Sequence, residues 1–214
     1  MTAPSDRQTA EADLAFLRSI VQGGGRPSFT LAVVYLAGGL LYGVQCLFHI
    51  GQAWGLIRWP DLANLAFVIS ITAAMLGIIV WAVLKDRRDG TDRSGSTASR
   101  AMSAALSGAG WVNAAMVIIF GVNASRDGDF SIWLYYPAMV FGLQAAAWYM
   151  AWSLRRQTWM LMTALGGWIT AVALGLLVHQ SLIYLYVCTA ALFLLFAVPG
   201  WIMLRQVKAA EREA

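Results

Sequence analysis

The sequence is poor in charged residues. It has 15 Lys and Arg and 11 Asp and Glu among 214 residues, or 12%, whereas about a quarter of a soluble domain is charged. Apolar residues make up 59% of the chain, and its mean hydropathy is +0.63. This composition excludes a disordered chain and disfavours a water-soluble globule, so it predicts an integral membrane protein whose main partner is the lipid bilayer.

Cysteine is also scarce, since the chain contains only Cys46 and Cys188. Both lie in apolar segments, and their spacing matches neither a disulfide framework nor a metal-binding motif. We expect each to fill space as a small apolar side chain. The chain also lacks a short apolar stretch with a small-residue cleavage site before its first long apolar segment, so no cleaved signal peptide is predicted.

Charge-free segments divide the chain. Six windows of 22 to 24 residues contain no Asp, Glu, Lys or Arg, and about 20 helical residues cross the hydrocarbon core of a bilayer. We therefore predict an all-α, polytopic fold with a six-helix transmembrane domain over 31-204, between cytoplasmic tails at 1-30 and 205-214. A helix continuous from Thr158 to Leu204 would be about 70 Å long, so a tight turn is required near Gln180 and Ser181. The predicted spans are 31-54, 62-84, 101-122, 132-154, 158-179 and 182-204.

The cations predict how the helices are oriented. In the six-span topology, 13 of the 15 Lys and Arg lie on one side of the membrane, and only Arg58 and Arg126 lie on the other. Because positive residues are retained in the cytoplasm, we predict a bacterial-type inner-membrane protein with both termini cytoplasmic. No basic cluster with a folded reader module is present, so nucleic acid is not expected as a partner. The 13 cations are Arg7, Arg18, Arg26, Lys85, Arg87, Arg88, Arg93, Arg100, Arg155, Arg156, Arg205, Lys208 and Arg212.

Two polar segments lie outside the predicted spans. Residues Glu11 to Gln22 place Leu14, Leu17 and Val21 on one helical face, which predicts a short amphipathic helix on the cytoplasmic leaflet. The alternative is a docking surface for a protein partner. Residues Lys85 to Arg100 are rich in Gly, Ser and charge, and we interpret them as a flexible cytoplasmic linker.

Tryptophan is abundant and unevenly placed. Eight of the ten Trp fall towards the ends of predicted spans, as interfacial aromatic belts require. Trp111 and Trp168 instead lie near mid-span. We expect these two to fill gaps between helices, with a ligand contact as the alternative.

The chain contains an internal repeat. Residues 71–80 match residues 169–178 with six identities in ten, and residues 42–45 match residues 141–144 at nearly the same offset. A weaker match joins 114–120 to 190–196. Spans one to three then correspond to spans four to six. Because three is odd, the halves enter the membrane in opposite senses, which predicts an inverted 3+3 repeat of the kind that transporters use.

The repeat places uncharged polar residues near the membrane midplane, where such proteins bind their ligands. Gln45 and Gln144 lie about half-way along spans one and four, Thr72 and Thr170 along spans two and five, and Asn113 along span three. We expect them to form a ligand site. The alternative is that they join helices by hydrogen bonds worth about 0.6 kcal/mol each.

A polar stripe runs along the first span. Gly38, Tyr42, Gln45, His49 and Gln52 recur at i, i+4, i+7, i+11 and i+14, which makes one continuous helix face. Facing lipid would leave these amides and the imidazole without partners, so the stripe must face protein or a cavity. The candidate ligand-binding residues are Gln45, His49, Gln52, Thr72, Asn113, Gln144 and Thr170.

The chain has two histidines, His49 and His179, both in the outer halves of their spans. Two imidazoles on different helices could ligate a b-type haem or a metal. The alternative, which requires no cofactor, is that each is hydrogen-bonded to a neighbour. We take the cofactor-free interpretation as the first expectation.

Catalysis and ion-coupled transport are disfavoured by what the spans lack. The six windows contain no Asp or Glu, and no HExxH motif occurs, so the usual acids, bases and proton relays are missing. We expect a protein that is not an enzyme and that binds or transports a small uncharged molecule at the midplane. The alternative is a non-catalytic membrane subunit or assembly partner of a larger complex, with or without haem b.

Overall fold

The fold was obtained as a computed structural model, which describes residues 28–88, 97–128 and 131–212. The amphipathic helix predicted over Glu11 to Gln22 lies outside these residues. The described residues form helices joined by turns, without a strand, and the all-α prediction is confirmed for them. The helices are α1 (Phe29–Ala53), α2 (Asp61–Arg88), α3 (Thr97–Asp127), α4 (Tyr135–Arg155, after a 3-10 turn over Ile132–Leu134), α5 (Thr158–Leu176) and α6 (Ser181–Leu192, a π-helical turn over Phe193–Ala197, and Val198–Arg212).

Five helical segments are long and apolar enough to cross a membrane. They are Phe29–Ala53, Asp61–Arg88, Ala104–Asp127, Thr158–Leu176 and Ser181–Ala209. Helix α4 has 21 residues but is less apolar, because Tyr, Trp, Pro and Gln stand among its aliphatic residues. By length and composition, the chain is a helical protein of membrane type.

The linker predicted between the second and third spans is partly wrong. Helix α2 continues through Arg88 and α3 begins at Thr97, so residues 85–88 and 97–100 are helical. The last turn of α2 contains Lys85, Arg87 and Arg88, and cations there interact favourably with the negative end of the helix dipole. Charge, which suggested a linker, in this case extends the helix.

Consecutive helices run in opposite directions, which gives the bundle two distinct ends. At one end, the Thr30 amide and hydroxyl of α1 donate to Asp86 of α2 over 3.1 and 2.7 Å. At the other, the Gln52 amide nitrogen donates to the Asn64 oxygen over 2.5 Å. The first end, where α1, α3 and α5 begin, is called the cation-rich end. Its described cations are Lys85, Arg87, Arg88, Arg100, Arg155, Arg156, Arg205, Lys208 and Arg212.

Helices α1 and α4 organise the bundle. Helix α1 packs against α2 and α6, helix α4 packs against α3 and α5, and α5 also packs against α6. Towards the cation-rich end, a cluster centred on Trp148, Met160 and Met203 joins every helix except α2. Towards the opposite end, a second cluster centres on Phe141 and Tyr184. The core therefore lies among α1, α4, α5 and α6.

The interface between α1 and α6 brings two backbones into contact. A Cβ atom added at Gly39 would lie 2.3 Å from the Ala197 nitrogen, and one added at Gly200 would lie 2.3 Å from the Leu36 nitrogen. Small residues allow this approach, as is common between membrane helices. The π-helical turn of α6 ends at Ala197, two residues before Pro199, which has no N–H to donate to the preceding turn.

Helices α2 and α3 are packed much less closely. Only 11% of the apolar window of α2 and 17% of that of α3 is buried, against 28–33% in the three spans α1, α5 and α6. Trp111 of α3 is 78% exposed, so the prediction that it fills a gap between helices is wrong for the described chain. Trp168 of α5 is 38% exposed and contacts Tyr149, with ring centroids 5.5 Å apart.

Candidate functional site

The polar stripe of α1 is turned towards the inside of the bundle. Gly38 is buried, and the other four stripe residues are partly buried. The exposed residues of the same stretch, Leu40, Val44 and Leu47, lie on the other side of the helix. The stripe therefore presents its polar groups to protein, as its spacing predicts.

A hydrogen-bonded chain near the end of α1 joins His49, Gln52 and Asn64. His49 Nδ1 lies 3.0 Å from Gln52 Oε1, and the Gln52 nitrogen donates to Asn64 Oδ1. Because the Gln52 oxygen can only accept, a neutral His49 is assigned the Nδ1–H tautomer. Its Nε2 then has a free lone pair, which is an acceptor one helical turn from Gln45.

Gln45 is the candidate whose polar group lacks a partner. Its carbonyl oxygen Oε1 is buried, and it accepts no hydrogen bond from the part of the chain that the structure describes. A buried acceptor without a donor is costly, by about 1–3 kcal/mol. Such a group is favourable when a ligand supplies the missing donor.

Gln144, the repeat partner of Gln45, is already satisfied. The Tyr35 hydroxyl of α1 donates to its Oε1 in a short hydrogen bond. The Tyr35 ring is held edge-on to Trp148 and stacked on Phe196, with centroids 5.3 and 5.2 Å apart. Two residues that the sequence makes equivalent thus have different environments.

The other three predicted residues lie on α2, α3 and α5. The Tyr136 hydroxyl of α4 donates to Asn113 Oδ1 of α3 over 2.8 Å. Thr72 is exposed on α2, and its hydroxyl donates to the Val68 carbonyl within its own helix. Thr170 is buried on α5. Thr72 also interacts with Tyr42 of the stripe, and Tyr42 interacts with Tyr136, so Thr72 and Asn113 lie close to the polar stripe of α1.

The two histidines are placed differently. His49 faces the bundle, whereas His179 lies in the exposed turn between α5 and α6. Among the residues described, no group of three or more His, Cys, Asp or Glu is close enough to hold a metal ion. A cavity of about 350 Å³ lies elsewhere, against Trp81, Leu84, Lys85 and Arg88 at the cation-rich end of α2.

Several residues that form contacts in the fold were not predicted from the sequence. Tyr35 lies seven residues before Tyr42, so extending the stripe by one step would have included it. Asn64 belongs to the first turn of α2 and meets Gln52 because a short loop joins the two helices. The two cysteines approach to 4.0 Å between sulfurs across the α1–α6 interface, and nothing in their spacing indicates this.

Comparison with known proteins adds no match to these contacts. No protein-family model matches the chain, and neither a curated protein nor a solved structure is similar to it. A functional interpretation therefore depends on the geometry alone.

Proposed function

We propose that the protein is a six-span protein of a bacterial-type inner membrane, with both termini in the cytoplasm, that binds a small uncharged molecule bearing hydrogen-bond donors. Helix α4 also crosses the membrane in this proposal, which brings the number of spans to six, because its 21 residues reach across about 30 Å of hydrocarbon. The cation-rich end faces the cytoplasm, since only Arg58 and Arg126 lie at the other end of the described chain.

The packing pattern supports two inverted halves. A two-fold exchange of α1 with α4, α2 with α5 and α3 with α6 turns the α1–α2 contact into the α4–α5 contact. The same exchange turns the α1–α6 contact into the α4–α3 contact, and these four contacts are present, whereas the α5–α6 contact has no α2–α3 counterpart of similar extent. In this arrangement a ligand site is expected between α1 and α4.

The unpartnered oxygen of Gln45 is the observation that carries the proposal. Gln45 and His49 are one helical turn apart, about 6 Å along the axis, so α1 offers two acceptors on its inward face. A solute with amide or hydroxyl donors would satisfy both, whereas the carboxylates of the described spans, Asp61, Asp86 and Asp127, lie near the helix ends and not at the level of Gln45.

Transport requires more than binding. The Tyr35 ring is buried between Trp148 and Phe196, and its hydroxyl donates a hydrogen bond to Gln144 Oε1. A solute that reaches Gln144 must therefore displace the Tyr35 hydroxyl. This makes Tyr35 the residue expected to separate a binding protein from a facilitator.

Proteoliposome swelling with urea, glycerol and erythritol tests this function. We expect permeation faster than through protein-free liposomes, and a loss of about 2- to 10-fold in Gln45→Leu, the amount that one neutral hydrogen bond supplies. Gln144→Leu should lower the rate similarly. Gln180→Leu is the matched control, because Gln180 is exposed in the α5–α6 turn. Equal rates in Gln45→Leu and in the unmodified protein would overturn the proposal.

A second candidate function is a subunit of a larger membrane complex, and the exposure of α2 and α3 favours it. Trp111 is 78% and Ile118 66% exposed, so a partner helix would find a large apolar face on α3. Co-purification of one protein in fixed ratio, lost in Trp111→Ala, would support this function. The haem-bearing version predicts a Soret band in the absorbance spectrum of the purified protein, reduced in His49→Ala.

A further inference from the structure

Arg155 is the last residue of α4 and lies at the cation-rich end. It continues the series Gln144, Trp148, Ala151 at spacings of three and four, so it belongs to the inward face of the helix. It is partly buried, whereas its neighbour Arg156 is exposed, with its guanidinium carbon 5.1 Å from the centre of the Trp152 ring. These two adjacent arginines therefore differ in burial.

The guanidinium of Arg155 has two buried nitrogens without a hydrogen-bond acceptor in the described chain, Nε and Nη2. These two nitrogens share one edge of the guanidinium plane, and together they form the fork that binds two oxygens of one carboxylate or phosphate. The unsatisfied donors are therefore a matched pair aimed in one direction. Burying such a charge without an acceptor is unfavourable, so an anion is expected to complete the site.

The described carboxylates do not supply that anion. Asp61 and Asp127 lie at the opposite end of the bundle, where α2 begins and α3 ends. Asp86 lies at the same end as Arg155 but accepts the amide and hydroxyl of Thr30. None of the three carboxylates whose side chains the structure describes therefore accepts a hydrogen bond from the two buried nitrogens of Arg155.

We propose that the Nε–Nη2 edge of Arg155 binds a phosphate group. Trp152 and Trp159 pack beside the core cluster at this level, and tryptophan marks the depth of lipid headgroups. Arg156 and Arg205 add positive charge at the same end, as in basic lipid sites on the cytoplasmic side of other membrane proteins. A phospholipid headgroup and inorganic phosphate carry the same oxyanion, and the experiment separates them.

The test uses the full chain, purified in a neutral detergent and stripped of lipid. Dioleoyl phosphatidylglycerol, dioleoylglycerol and sodium phosphate are added separately, and Tm is measured. We expect the phospholipid to raise Tm and dioleoylglycerol, which has the same chains without phosphate, to leave it unchanged. Arg155→Gln should weaken the apparent affinity at least about tenfold, as loss of a charged hydrogen bond predicts, while Arg156→Gln should retain it. A Tm increase with sodium phosphate alone would identify a soluble oxyanion as the natural source.

Arg155→Lys distinguishes the fork from the charge. Lysine keeps the charge but cannot bind two oxygens along a planar edge, so its affinity should lie below that of the unmodified protein, and this variant also serves if Arg155→Gln does not fold. Without phosphate or lipid, Arg155→Gln should be at least as stable as the unmodified protein, because it removes a buried unpaired charge. Equal responses to phosphatidylglycerol and dioleoylglycerol, full affinity in Arg155→Lys, or equal losses in Arg155→Gln and Arg156→Gln would overturn the proposal.

Discussion

Helices α1 and α6 form a tight pair, whereas α2 and α3 are held loosely at the sides of the bundle. In the pair, the added Cβ atoms at Gly39 and Gly200 would lie 2.3 Å from backbone nitrogens. On α2 and α3, Gly77, Gly108 and Gly110 have no described atom within 4 Å of an added Cβ. Glycine thus permits a close backbone contact between α1 and α6, whereas these three glycines of α2 and α3 have no such role. Apolar composition alone therefore does not show which helices form the core.

Replacing glycine breaks the comparison most directly. Gly39→Ala places a methyl group against the backbone of Ala197, and overpacking of this kind costs about 1–3 kcal/mol. Gly77→Ala on α2 is the matched control, and we expect it to be neutral. Thermal unfolding in detergent measures both variants. A similar Tm for the two would show that α1 and α6 do not approach as closely as described.

Loss of the Tyr35 hydroxyl should have the next largest effect. Tyr35→Phe removes the donor to Gln144 Oε1, which is partly buried, and we expect the free energy of unfolding to fall by about 1 kcal/mol. Ser70→Ala on α2 removes a hydroxyl that is exposed and bonded within its own helix, so its Tm should stay almost unchanged. Equal Tm losses for the two variants would contradict the distinction between core and periphery.

Gln45→Leu should change stability in the opposite direction. Removing a buried acceptor that has no donor in the described chain is expected to raise the free energy of unfolding by up to about 1 kcal/mol without ligand. The same variant is expected to lose solute permeation. A destabilised Gln45→Leu protein would show instead that Gln45 has a structural partner.

Trp111→Leu should have the smallest effect on the isolated chain. Its side chain is 78% exposed, so Tm of the purified protein should shift by less than the change expected from about 0.5 kcal/mol. In native membranes, blue-native electrophoresis compares the size of the assembly before and after the substitution. A clear loss of Tm in purified protein would indicate that α3 is packed in the bundle.

Periodicity and charge were sufficient to predict the all-helical class and the apolar helices. Charge-free windows indicate the helices because a charged side chain is costly in lipid. Five of the predicted helices are long and apolar enough to cross a membrane. The inward direction of the α1 stripe followed from its spacing. The linker over 85–100 was wrong at both ends, because charges at a helix terminus are solvated and can extend it.

The site was harder to predict, because it depends on which helices touch. Depth along a span placed Gln45, Gln144 and Thr72 at one level, but depth carries no information about the direction around the bundle axis. Thr72 therefore proved exposed, and Gln144 proved bonded to Tyr35. Contacts such as Cys46 with Cys188, 142 residues apart, require the packing of non-sequential helices, which no local pattern contains.

The contact between α1 and α6 also constrains how the chain is synthesised. Helix α6 begins about 130 residues after α1 ends, so at about 5–20 residues per second roughly 6 to 25 s of translation separate them. During that time α1 can pair with α2, because Thr30–Asp86 and Gln52–Asn64 join the two helices at both ends. The glycine surface of α1 must stay unfilled until the last helix arrives, which makes the insertion of α6 the step that completes assembly.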